Sequence, residues 1–201
     1  IRLEAGLAEP LRWLHAQGRG DVQQALDAGQ VGAALDAGAL GVQVPNIATS
    51  EQAQSAVKAA RFYPKGMRGV CRFVNAAQFG SLAKEHYFDL ANQSLLILQV
   101  EGIEGVKNID SILDVQGFDV LFIGPYDLSQ SIGKPGQIDC PEVIDIMREI
   151  AIKAKAKGVL LGAFSDAMAQ NATLADGGFS YIAYSVDLNI YIEKLKEIVG
   201  N

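Results

Sequence analysis

Cysteine is scarce: Cys71 and Cys140 are the only two in the chain. They are too few for a disulfide framework and lack metal-ligand spacing, so reduced intracellular thiols are the expectation. Histidine is equally sparse. His15 and His86 form no His-x-x-x-His pair, and each alone reads as exposed or structural. No apolar run approaches the ~20 residues needed to span a bilayer, so no membrane partner is expected. Ile1-Arg2-Leu3-Glu4 lacks the basic, apolar, then small-residue layout of a signal peptide, which sets a cytoplasmic expectation. Basic charge is not in excess: 17 Lys and Arg stand against 23 Asp and Glu, a net charge of -6. That balance argues against a general nucleic-acid binder, which normally shows a basic face. The aromatics, Trp13 among them, are scattered and build no stacking platform.

What is present is an ordinary globular composition, 49% hydrophobic and 20% charged over 201 residues. This is enough for a single domain with a substantial core. From residue 38 onward, short apolar runs alternate with amphipathic segments. Gly41-Val42-Gln43-Val44-Pro45 reads as a buried strand stopped by proline. Ser50 is a plausible N-cap for a helix reaching about Phe62, ended by Pro64 and Gly66. Leu95–Val100 is the clearest strand, apolar on both faces as a parallel strand under helices should be. One helix through Val106, Ile109 and Leu113 follows, then a strand at Asp119–Ile123. A helix opening at Pro141, a strand at Val159–Phe164, a helix from about Asp166 to Ala175, a strand at Tyr181–Tyr184 and a last helix, Leu188–Val199, complete the series.

Strict strand–helix alternation predicts parallel strands joined by right-handed crossovers. Spacings of about 20–30 residues fit a (β/α)8 TIM-type barrel spanning residues 1–201 as one domain. No Gly-x-Gly-x-x-Gly follows a strand, which counts against the open doubly wound alternative. A full barrel typically takes ~250 residues, so one or two units are expected to be short, missing or donated. The first units, in residues 1–37, are poorly recognisable. There Ala25-Leu26-Asp27-Ala28-Gly29 recurs as Ala34-Leu35-Asp36-Ala37-Gly38. Nine residues is about 180° around a helix, so two short helix ends, each stopped by its glycine, are the better reading.

In such a barrel, chemistry sits where strands end. Glu101 directly follows the strand Leu95–Val100, and Asp127 lies three residues beyond Gly124. Two carboxylates on neighbouring strand ends suit a hard divalent cation, Mg²⁺ or Mn²⁺. Either could instead be a helix cap. Arg68, in Gly66-Met67-Arg68-Gly69, could hold an anionic or enolate oxygen by paired hydrogen bonds; a surface arginine in a turn is the alternative. Gln99 is polar at the end of an apolar strand, so its amide is either satisfied by backbone or aimed at a ligand. Lys65, Lys84, Lys107 and Lys134 lie in polar or turn contexts. No lysine sits within a strand run as a Schiff-base lysine would, which favours metal over imine chemistry.

Residues 35–187 resemble the HpcH/HpaI aldolases. The resembling stretches are Ala34 to Pro45, Tyr63-Pro64-Lys65-Gly66-Met67-Arg68-Gly69, Gln99-Val100-Glu101-Gly102, and Val115 to Ser129 followed by Gly133-Lys134-Pro135-Gly136. The resemblance implies a (β/α)8 barrel and a homo-oligomer, a hexamer built from dimers that exchange C-terminal helices. It implies a class II aldolase that cleaves a 4-hydroxy-2-oxo acid to pyruvate and an aldehyde through a metal-stabilised pyruvate enolate. Glu101 and Asp127 match the metal carboxylates, with Mg²⁺, Mn²⁺ or Co²⁺ as the cation. Arg68 matches the arginine at the pyruvate carbonyl oxygen, and Gln99 a glutamine lining the pocket. The backbone at Tyr126 and Asp127 matches the segment that receives the pyruvate carboxylate. Two departures are visible. The family's Glu-His pair has no counterpart, His15 lacking the preceding acid and strand. His86 stands where the family carries an acid reaching a neighbouring subunit's site, with Glu85 adjacent. Two other readings are a barrel that only binds keto acid and metal or serves in assembly, and a citryl- or malyl-CoA lyase-like enzyme.

Overall fold

The computed structural model describes residues 22–24 and 28–200. Its elements alternate as expected. They begin with β1 (Val22–Gln24), α1 (Ala28–Asp36), β2 (Gly41–Val44) and α2 (Ser50–Ala60). A 3₁₀ segment at Asn75–Gly80 precedes α3 (Lys84–Ala91) and β3 (Leu95–Val100). There follow α4 (Ile103–Lys107), α5 (Ile109–Leu113), β4 (Val120–Ile123), α6 (Pro125–Ser131), α7 (Pro141–Ala156), β5 (Leu160–Ser165), α8 (Met168–Asp176), β6 (Phe179–Tyr184) and α9 (Asp187–Val199).

Among the described residues six strands pair in the order β1-β2-β3-β4-β5-β6, and every pairing is parallel. An unbroken sequential order has no reversal point, which separates this fold from a doubly wound sheet. The two faces of the sheet also differ. Leu96, Leu98, Leu121 and Ile123 pack in one cluster with helix residues such as Val57, Ile112, Val143 and Ile150. The opposite face carries Leu95, Ile97, Val120 and Phe122, packed against Leu160, Phe164, Tyr181 and Ala183. These are strand residues meeting strand residues, the signature of a barrel interior filled by its own side chains. Gly162 makes room there, since a Cβ at this position would meet Phe122 Cδ2 and Tyr181 Cδ1, each at 2.8 Å. The fold is a parallel α/β fold of TIM-barrel type.

Three local expectations are corrected. Thr49, not Ser50, caps α2: its hydroxyl accepts from the Gln52 N–H, and the Gln52 side chain accepts from the Thr49 N–H, a reciprocal capping box. Gly29 lies inside α1 instead of ending a helix, whereas Gly38, at φ +103°, does follow the end of α1. The helix expected after β3 is two helices, divided at Asn108, whose side chain donates to the Ala48 carbonyl at 2.8 Å. His15 and Trp13 lie outside the described residues.

The N-terminal ends of β3 and β4 are joined by one buried arginine. Arg61, 4% exposed, donates to the carbonyls of Ser94 and Gly117 and to Asp119 Oδ2 at 2.8 Å. The same carboxylate oxygen accepts the Leu96 N–H at 2.7 Å. A single side chain therefore satisfies the strand entries that a barrel must otherwise leave to water.

Candidate active site

The C-terminal ends of β2 to β6 surround a cavity of about 710 Å³. Its wall includes Gln43 from β2, Gln99 from β3, Tyr126 and Asp127 after β4, Asp166 after β5, and Ser185 after β6. Inward residues alternate with outward ones along a strand, so each polar group here continues an apolar interior column to its open end.

Glu101, one residue beyond β3, is only 6% exposed. Its Oε1 accepts the Asn46 N–H at 2.9 Å and its Oε2 accepts the Gln99 side-chain amide. Gln99 in turn accepts from the Gln43 amide. Burial pushes the Glu101 carboxyl above its ordinary value of 4.5; the Asn46 and Gln99 hydrogen bonds pull it down, and the neighbouring Asp127 raises it again by its charge and a hydrogen bond. Two acidic side chains are thus close enough to influence each other, one of them buried. Gly124 permits this, because a Cβ there would meet Glu101 Oε2 at 2.8 Å and Gln99 Nε2 at 3.1 Å. Asp127 sits in the first turn of α6, and among the described residues no side chain caps that helix. The capping alternative for Asp127 is therefore not what the structure shows.

Tyr126 donates its hydroxyl to Asp166 Oδ2, which raises its pKa, and its ring meets Phe164 edge-on at a centroid distance of 6.0 Å. Buried Ser129 donates to the Tyr126 carbonyl at 2.6 Å and accepts the Gly136 N–H at 2.9 Å, fixing the turn after α6 beside the site.

The expectation for Arg68 is corrected. Its guanidinium is buried, pairs with Asp36 Oδ1 at 2.5 Å, and lies 4.8 Å from the centroid of the Phe62 ring. Asp36 ends α1, immediately before β2 begins, so Arg68 belongs to the end of the barrel opposite Glu101. The parallel strands between them rise ~3.3 Å per residue, which puts the two charges far out of contact. Gly66 answers to packing against the Arg61 backbone. A Cβ on Gly66 would meet the Arg61 carbonyl oxygen at 2.4 Å, and the Arg68 N–H donates to that same oxygen at 2.9 Å. The Tyr63–Gly69 stretch is thus a close crossing over the Arg61 backbone. His86 and Glu85 are exposed on α3.

The structure brings Gln99, Glu101, Tyr126 and Asp127 to one rim and leaves Arg68 elsewhere. It adds Gln43, Asp166, Ser185 and Asn189 to the cavity wall. Of these, Gln43 had a readable signal, because Val42-Gln43-Val44 repeats the pattern of Leu98-Gln99-Val100. Among the described residues no strand contains a lysine, and no group of three or more His, Cys, Asp and Glu converges as a ready metal cage.

With that geometry in hand, comparison with known proteins gives a direct result. Residues 22–194 match the family model described as HpcH/HpaI aldolase/citrate lyase. This chain belongs to that family. The HpcH/HpaI resemblance read from the sequence stands. A 2-keto-3-deoxy-L-rhamnonate aldolase of Salmonella typhi is 40% identical over 156 residues, covering 76% of this chain and 57% of the relative. The chain thus spans somewhat over half the length of the curated relatives it matches. An HpcH/HpaI aldolase/citrate lyase family protein from Burkholderia cenocepacia J2315 superposes with a TM-score of 0.84 at 31% identity, covering 94% of this chain and 77% of that one. An HpcH/HpaI aldolase from Desulfitobacterium hafniense DCB-2 gives a TM-score of 0.80 at 28% identity, with 92% and 74% covered.

Proposed function

We propose that this HpcH/HpaI chain, as one (β/α) barrel domain, carries a class II aldolase site that cleaves a 4-hydroxy-2-oxo acid to pyruvate and an aldehyde. The observation that carries this reading is a buried carboxylate, Glu101, held on both oxygens at the barrel rim with Asp127 near enough to raise its pKa. Two adjoining carboxylates in a partly dry setting repel unless a proton or a cation lies between them. The pair fits Mg²⁺, Mn²⁺ or Co²⁺, hard or borderline cations that accept one or two carboxylates and fill the rest of their shell with water and substrate oxygens. When bound, such a cation supplies Lewis-acid stabilisation of the negative charge that develops on the keto oxygen. The chain's own part is to hold Glu101 by the Asn46 and Gln99 hydrogen bonds, and to offer the uncapped first turn of α6 to the pyruvate carboxylate. Arg68 takes no part.

The relative's 2-keto-3-deoxy-L-rhamnonate points to a hydroxylated aldehyde half. Tyr126, Asp166, Ser185 and Asn189 along the cavity wall give hydrogen-bonding groups suited to it. The test is exchange of pyruvate methyl protons with D₂O. Exchange is expected with added Mn²⁺ and is expected to vanish with EDTA; no metal-dependent exchange would overturn the proposal. Pyruvate-dependent thermal stabilisation without exchange would mark a barrel that only binds. Protection by acetyl-CoA but not by pyruvate would mark a CoA-dependent lyase.

We further propose a homo-oligomer built through α9. Leu188, Tyr191, Leu195 and Ile198 recur at helical spacing, are 42–71% exposed, and the helix has no buried residue. An apolar groove of about 310 Å³ between α7 and α8, lined by Ile144, Met147, Ala151 and Leu174, is complementary to such a stripe in a second copy. Leu195→Glu with Ile198→Glu is expected to lower the mass seen by light scattering; an unchanged mass would remove α9 from the interface.

A further inference from the structure

Gln43 is an unusual residue for its place. It lies within the four-residue strand β2, paired in register with Ile97 of β3. Registered partners on parallel strands share a face, and Ile97 belongs to the apolar interior cluster. An amide on that face costs free energy unless it is bonded. Its Nε2 donates to Gln99 Oε1, Gln99 Nε2 donates to Glu101 Oε2, and Glu101 Oε1 is occupied by the Asn46 N–H.

The direction of this chain is forced. An ionised carboxylate only accepts, so Gln99 must turn its NH₂ toward Glu101 and its carbonyl away. That carbonyl then needs a donor, and Gln43 is the donor it has. Without Gln43, the Gln99 carbonyl loses its donor on a largely apolar face, and the amide is held at its Glu101 end alone. Gly124 leaves the room this amide occupies, since a Cβ there would lie 3.1 Å from Gln99 Nε2.

We infer that Gln43 is a positioning residue for cation binding: it locks the Gln99 amide, and through it the orientation of the Glu101 carboxylate. In this role it acts through Gln99 and not on the cation itself. The inference rests on the cation site proposed above. The supporting contacts behind a ligand's first neighbours typically contribute 10–100-fold in metal affinity.

The test titrates metal-free protein with Mn²⁺ and follows unbound Mn²⁺ by electron paramagnetic resonance. Gln43→Met keeps the length and removes the donor; Gln43→Leu is a second apolar replacement in case the first packs poorly. Each is expected to weaken Mn²⁺ binding by about tenfold. The metal-free melting temperature is expected to fall by no more than about 2–4 °C, a split between metal affinity and stability that a general loss of structure would not give. In a Gln99→Met background, Gln43→Met should cause no further loss, since the link it acts through is already gone. Mn²⁺ affinity unchanged in both single variants would overturn the role of Gln43 while leaving the cation site intact. So would a full additional tenfold loss in the Gln99→Met background. Absence of any Glu101-dependent Mn²⁺ binding in the unaltered protein would instead overturn the cation site, and this inference with it.

Discussion

Glu101→Gln is expected to lower metal-dependent pyruvate exchange by about a thousandfold, the scale of several kcal/mol of charge stabilisation. The substitution keeps shape and removes charge. Glu101 is 6% exposed and held on both oxygens, so the replacement amide has little freedom to find another role. Asp127 alone, exposed at the start of α6, would leave a cation mostly to water. The effect is separable from unfolding: Mn²⁺ should raise the melting temperature of the unaltered protein and not that of the variant. The pH dependence has a definite sign. Burial places the Glu101 pKa above 4.5, so protons compete with the cation at a higher pH than at an exposed carboxylate. Exchange should be present above that raised value and lost as pH falls through it. Without cation the linkage runs the other way: the raised pKa favours the protonated fold, and this contribution to stability is lost as pH rises through it. Mn²⁺ should therefore stabilise more at pH 8 than at pH 5. Equal stabilisation at both, or exchange retained in Glu101→Gln, would remove Glu101 from the site.

The second large effect is on stability. Arg61→Ala is expected to destabilise the fold by about 3–5 kcal/mol, because it strands buried acceptors. Asp119 loses its cation, and the carbonyls of Ser94 and Gly117 lose their donors. At roughly 2–4 °C per kcal/mol for a chain this size, the melting temperature should fall by about 10 °C. Arg61→Lys should recover little, since an ammonium cannot reach three acceptors set in a guanidinium plane. Thermal unfolding followed by circular dichroism decides; a fall of under about 2 °C would show that the hub is not what joins these strand entries.

The order of strands and helices was legible in the sequence because parallel strands under helices are apolar on both faces, as Leu95–Val100 is. Boundaries were less so: Thr49 and Ser50 are both good caps, and only the reach of Gln52 chooses between them. The positions of Glu101 and Asp127 were legible because Glu101 directly follows β3 and Asp127 lies in the short turn of helix after β4. Arg68 was misplaced for a physical reason. Its partners, Asp36 and Phe62, and the crossing over Arg61 that requires Gly66, come from distant turns that spacing does not reveal. Gln43 was passed over although Gln99 was not, because β2 is short and its following residue is a proline instead of an acid.

Arg61 anchors the entry ends of the strands, while the cavity opens at their exit ends, with a packed interior of Ile97, Phe122 and Tyr181 between. Libraries that randomise Tyr126, Asp166, Ser185 and Asn189 to recruit new ligands should consequently draw little on thermal robustness. Directed evolution of this scaffold could accumulate many rim changes before it needs a compensating mutation at the floor.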